Sequence, residues 1–168
     1  MAPDTSSAKK MLMFVLMLLL AGMRPAVAQQ AAPMCQADQL ALSVDNPQGR
    51  PAGMPQSAAV LTVVNRGNAS CALQIRPEIG FEDSHHQALP AAARRIPGMH
   101  HGPVLLPLVL PAHASATSEV RWVSGCIAPA FVSLRVGEHV MRAPFQGQLC
   151  GSQGTGSYYS ATFFKLVR

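Results

Sequence analysis

Acids are scarce in this chain, and lysine is scarcer still. Eight Asp and Glu stand against 13 Lys and Arg in 168 residues, a formal net charge of +5. Past residue 28 the acids are Asp38, Asp45, Glu78, Glu82, Asp83, Glu119 and Glu138, and Lys165 is the last lysine. Glu82-Asp83 is their one adjacent pair, and neighbours on a strand point to opposite faces. A two-carboxylate glycosidase site therefore has no support there. The arginines are scattered, with Arg94-Arg95 the one adjacent pair, so the dense basic patch of a nucleic-acid binder is missing. Arg94-Arg95 would suit an anionic glycan or phosphate, although ordinary surface is the plainer reading. Past residue 28 the chain also lacks the G-x-S-x-G elbow, the H-E-x-x-H helix and the S-x-x-K nucleophile. The glycine-rich residues 150–159 lack the Lys-Ser/Thr ending of a phosphate loop. These absences point away from an enzyme.

Long apolar runs are missing as well. The longest, Met11–Gly22, has twelve residues, whereas a bilayer span takes about 20. It follows Lys9-Lys10 and precedes Pro25 and Ala26-Val27-Ala28. A basic start, a short apolar segment and a small-x-small site predict a secretory signal peptide over residues 1–28. The signal helix would end before Pro25. A mature chain from Gln29 would have a short flexible segment, 29–34, and one domain, 35–168. No second run of spanning length follows, so no membrane span is expected in the mature form. The chain is expected to be exported, to the periplasm or beyond, and to be monomeric.

Export decides how the cysteines are read. The four are Cys35, Cys71, Cys126 and Cys150, and none stands in a C-x-x-C pair. Their spacings match neither zinc fingers nor thioredoxin motifs. An even number in an oxidising compartment predicts two disulfides. Of the three connectivities, Cys35–Cys71 and Cys126–Cys150 close the smaller loops and are preferred. A reactive thiol needs a nearby cation or helix N-terminus, and the local sequence supplies neither.

Helical periodicity is absent and strand signals recur. Leu40–Val44 alternates large and small side chains, and Asn46-Pro47-Gln48-Gly49 reads as a turn. Ala58–Val64 is apolar and β-branched like a central strand, ending in the turn cluster Asn65-Arg66-Gly67-Asn68. Two short strands, Cys71–Ile75 and Ile79–Glu82, are split by Pro77. Val104–Leu110 contains Pro107, which only an edge or bulged strand tolerates. In Ser115–Val123, Val120 and Trp122 share one face, Glu119 and Arg121 the other, and Trp122 is assigned to the core. In Phe131–Val136, Val132, Leu134 and Val136 face one way. Gly137-Glu138 is a two-residue hairpin turn, Gly suiting the first position of type II′. His139–Phe145 returns, and Ala161–Val167 is a last strand. Tyr158-Tyr159 is assigned to edge-strand packing. In all, about seven to nine strands predict an all-β sandwich.

Ser84–Pro103 breaks this rhythm with no strand pattern, and loops of that length are uncommon. It carries His85, His86, Met99, His100 and His101. Imidazole and thioether ligands suit copper, and zinc is the other candidate. Against this, loop histidines with no partner to orient them are ordinarily just solvated.

Several of these features occur in a recognisable order: Cys35-Gln36-Ala37-Asp38-Gln39-Leu40, then Ala59–Gly67 with its Asn-x-Gly turn, then Cys71-Ala72-Leu73 and Arg76-Pro77, a strand ending at Trp122, Cys126, and a late Cys150. The chain resembles an exported bacterial family, number 4232 among domains of unknown function. The resemblance covers about residues 35–150 and implies a single immunoglobulin-like antiparallel β-sandwich with no assigned catalytic residues. Many members look like lipoproteins; this chain lacks the lipidation cysteine. The expected function is non-catalytic binding to an envelope protein or glycan, without a cofactor. A copper- or zinc-binding protein using residues 84–103 is the first alternative, and a hydrolase with scattered residues the second.

Overall fold

The structure, a computed structural model, describes residues 31–45, 56–94, 104–150 and 157–167. The expected signal peptide lies outside the described residues. Among the described residues twelve strands run in chain order: β1 (Leu40–Asp45), β2 (Gln56–Asn65), β3 (Cys71–Leu73), β4 (Glu78–Glu82), β5 (Ala91–Ala93), β6 (Leu108–Leu110), β7 (Ser115–Ile127), β8 (Phe131–Val136), β9 (His139–Pro144), β10 (Leu149–Cys150), β11 (Ser157–Ala161) and β12 (Lys165–Leu166). One 3-10 turn, Ala37–Gln39, precedes β1.

The large sheet has the order β1-β2-β7-β11-β5, with β10 and β12 also pairing along β7. A second sheet has the order β4-β8-β9, and β3 pairs with β6 as a two-stranded ribbon. The strand count exceeds the expectation because β7 is thirteen residues long and is covered piecewise by short strands.

Alternation builds the layers. On β7, Ala116, Ser118, Val120 and Trp122 are buried; on β2, Ala59, Leu61 and Val63; on β8, Val132, Leu134 and Val136. The two inner faces interdigitate as in a sandwich. Phe81 of β4 lies edge-on to Tyr159 of β11 at 5.4 Å and to Phe145 at 5.2 Å, while Phe145 meets Trp122 of β7 at 5.1 Å. These ring contacts join one sheet to the other in offset geometries that aromatic quadrupoles favour. Tyr159 also donates its hydroxyl proton to the Ile79 carbonyl at 2.6 Å, a buried bond between sheets.

The disulfide Cys35–Cys71 is formed. Around it the chain entering the domain is tied down: Cys35 N–H donates to Ala72 O, and Ala72 N–H donates to Pro33 O. The flexible segment expected over 29–34 is thus held from Pro33 onward. At the β8–β9 turn only Gly137 has a positive φ, +58°, as a type II′ hairpin requires.

Three expectations change. The segment 84–103 contains β5, which lies parallel to β11 at the edge of the large sheet, so the pairing is not wholly antiparallel. After β4 the chain crosses between sheets and reaches β11 running in the same direction; Ser157 N–H donates to Pro90 O and Arg94 N–H to Tyr159 O. Consequently β11 is an interior strand rather than an edge, which is why Tyr159 is core. The last strand also divides in two: β11 ends at Ala161 and β12 resumes at Lys165. In between, Phe164 turns into the core and donates its N–H to Ile75 O.

Candidate functional site

The most buried carboxylate among the described residues is Glu82, 7% exposed. It faces away from the aromatic core, on the outer side of β4. Arg142 of β9 donates Nε–H to its carboxylate at 2.7 Å. His86 Nδ1 lies 3.3 Å away, and Ser133 of β8 adds a hydrogen bond. Burial pushes the carboxyl up, but Arg142, His86 and Ser133 together outweigh it and hold it below the ordinary value. Gly80 makes room for this arrangement: a Cβ there would stand 2.7 Å from Ser133 Oγ.

A tight turn delivers His86 to Glu82. Asp83 Oδ1 accepts from the N–H groups of His85 and Gln87 at 2.8 and 2.9 Å. The bond from Gln87 leads in holding the Asp83 carboxyl below its ordinary value. The turn puts His86 in the left-handed region, φ +59°, with its ring 4.7 Å from that of Phe131. Ser133, Glu82 and His86 are the residue types of a hydrolytic triad in another order. A triad places imidazole between acid and hydroxyl; here the carboxylate is in the middle. Held below its ordinary range, it is also a weak base for Ser133.

The proposed metal ligands separate into two groups. His85 and His86 are described and exposed, and His86 is engaged with Glu82 and Phe131. Met99, His100 and His101 lie outside the described residues. Among the described residues no group of three His, Cys, Asp or Glu converges. Cys126 and Cys150 lie on paired strands, Leu149 opposite Ile127 and Cys150 opposite Val123. Their side chains lie outside the described set.

Sequence reasoning missed a second polar hub. Asn65, fully buried at the end of β2, donates Nδ2–H to the carbonyls of Ala69, Leu110 and Pro111 at 2.9 to 3.2 Å. Its Oδ1 accepts from Gly67 N–H at 2.9 Å. One side chain therefore closes the turn after β2 and anchors β6 to it. The Asn-x-Gly spelling indicated the turn, but not the carbonyls 45 and 46 residues away.

The ribbon that Asn65 anchors, together with the segment leading into β6, carries a run of exposed apolar side chains. Val104, Leu105, Leu106 and Val109 stand 89%, 42%, 75% and 51% exposed. Among the described residues, β6 pairs with β3 alone. Ala72 turns its main-chain groups away from β6, toward Pro33 and Cys35. By ladder alternation, its partner Val109 also turns its N–H and C=O outward. The outward positions on either side are Pro107 and Pro111. Neither has an N–H, and the Pro111 carbonyl is taken by Asn65. The strand edge is blunted while its side chains stay bare.

A small β-sandwich domain, closed at its N-terminal side by a disulfide, is the class that these features define. Within that class the chain belongs to the family described as a domain of unknown function, DUF4232, which matches residues 35–136. The matched span ends with β8, yet β9, β11 and β12 complete both sheets. No curated protein and no solved structure matches the chain. Among the described residues no helix is long and apolar enough to cross a membrane, and a formed disulfide is compatible with export.

Proposed function

We propose that the chain is an exported, non-catalytic binding domain that recognises an envelope protein through the side chains of its apolar ribbon. The carrying observation is the cluster of bare side chains Val104, Leu105, Leu106 and Val109 beside a blunted strand edge. Exposed apolar clusters of this kind mark interaction surfaces. Between Val104 and Ser118 the sequence has no Asp, Glu, Lys or Arg, so the surface favours an uncharged apolar partner over a sugar. Prolines at the outward positions disfavour an added strand, so recognition runs through side chains. The Ser133–Glu82–His86 order supports a structural role for the outer-face polar cluster. The reading needs no metal: titration with Cu(I), Cu(II) and Zn(II) should show no binding tighter than micromolar.

The test is capture from envelope extract by immobilised wild-type protein and by Leu106→Asp, with the captured proteins identified by mass spectrometry. Leu106 is exposed, so the variant should melt like the wild type. The reading expects a protein held by the wild type and released by Leu106→Asp. Equal capture by both, or no enrichment over blank resin, contradicts it.

A further inference from the structure

A second opening lies at the hairpin end of the sandwich, apart from that ribbon. Where β8 turns into β9 at Gly137, the surface dips toward the core. Leu73, Leu134, Val136 and Phe164, all core residues, form the floor of a depression. As it stands it holds about one water. Its wall is adaptable, however, because Met34 lies on it 47% exposed, and an unbranched thioether reshapes readily around a guest.

The rim is cationic. Arg76 lies 5.7 Å over the Phe163 ring and has no carboxylate partner among the described residues. Arg135 reaches Glu78 at 3.5 Å, with both side chains more than half exposed, an arrangement that is weakly held. Arg76 therefore offers a guanidinium without a carboxylate partner beside the apolar floor, while Arg135, on the opposite face of β8 from Leu134 and Val136, adds positive charge from farther off. Such a mouth selects an apolar group with an anion directly beside it. Being shallow, it has room for one side chain at most, and only with Met34 moved aside. In a polypeptide only the last residue carries an apolar side chain and a backbone carboxylate on the same Cα.

We propose that this mouth binds the free C-terminus of a polypeptide ending in an aliphatic residue. The last side chain rests on Leu73, Leu134, Val136 and Phe164, displacing Met34. The carboxylate accepts charge-assisted hydrogen bonds from Arg76, with Arg135 adding positive potential. The planar fork of Arg76 matches a carboxylate in two parallel bonds, which a lysine would not. This site is independent of the ribbon.

Fluorescence anisotropy on the full chain tests it, with a labelled hexapeptide ending in leucine, the same peptide amidated, and octanoate as competitor. Saturable binding of the free acid is expected, with the amide weaker by about tenfold or more. Arg76→Ala should weaken the free acid by a similar factor at unchanged melting temperature, and Leu106→Asp should leave it unchanged. Equal binding of acid and amide, indifference to Arg76→Ala, or no binding at millimolar peptide overturns the proposal. Octanoate binding without peptide binding would assign the mouth to a fatty acid and overturn the polypeptide assignment. Because Leu106→Asp bears on the ribbon and Arg76→Ala on the mouth, each proposal can fail alone.

Discussion

Asn65 shows how much a single polar side chain can hold. It satisfies three carbonyls and one N–H in a fully buried position. Leaving such groups unpaired costs about 1–3 kcal/mol, so Asn65→Ala should lower unfolding stability by about 2 kcal/mol or more in urea titrations. Tyr159 makes a smaller but more diagnostic case. Burial, and then the negative charge of Glu78, push its phenol above the ordinary 10.0. The folded state then holds the proton more tightly than the unfolded chain. Its contribution is complete below the ordinary value and is lost as pH rises past it. Tyr159→Phe should cost about 1 kcal/mol at neutral pH and flatten the alkaline limb of stability. Glu82 behaves oppositely. Its carboxyl is held below the ordinary 4.5, so its contribution is complete above that value and fades as pH falls through the folded-state value. Urea midpoints taken from about pH 6 to about pH 3 should fall less steeply for Glu82→Gln than for the wild type.

At the level of elements, what was legible in the sequence followed period-2 alternation. β2, β7 and β8 each have one face of Val, Leu, Ala or Trp, broken on β7 by Ser118, and each buries that face. β5 was hidden because three alanines carry no alternating signal; it is a strand only because β11 lies beside it. The run 104–110 read as an apolar strand, yet only Leu108–Leu110 pairs. Continuous apolar residues do not reveal which face is covered, so the bare ribbon could not be foreseen. The Glu82 cluster was invisible for another reason: Arg142 is 60 residues away, and only the order β4-β8-β9 brings it close. Gly80 belongs to that element-level fit. Gly80→Ala would press on Ser133 Oγ at 2.7 Å and displace its bond to Glu82, at about 1–3 kcal/mol for an overpacked site.

On the scale of the whole molecule, two sheets share one core and the chain enters through a cross-link. Reducing Cys35–Cys71, whose ends are 36 positions apart in sequence, should remove about 3–4 kcal/mol by the chain-entropy estimate. The register of β10 on β7 sets Cys150 against the segment that contains Cys126, so the account expects a second cross-link there, clamping the last third of the chain to the longest strand. The surfaces proposed to meet a partner are the bare ribbon and the hairpin mouth. All of this requires that the chain be processed and oxidised outside the cytoplasm. Peptide-mapping mass spectrometry of the unreduced protein, isolated from the cell envelope and its surroundings, tests that most directly. The expected result is a mature N-terminus at Gln29 with Cys35 linked to Cys71 and Cys126 linked to Cys150. Residues 1–28 still attached, or four free thiols, would contradict the account.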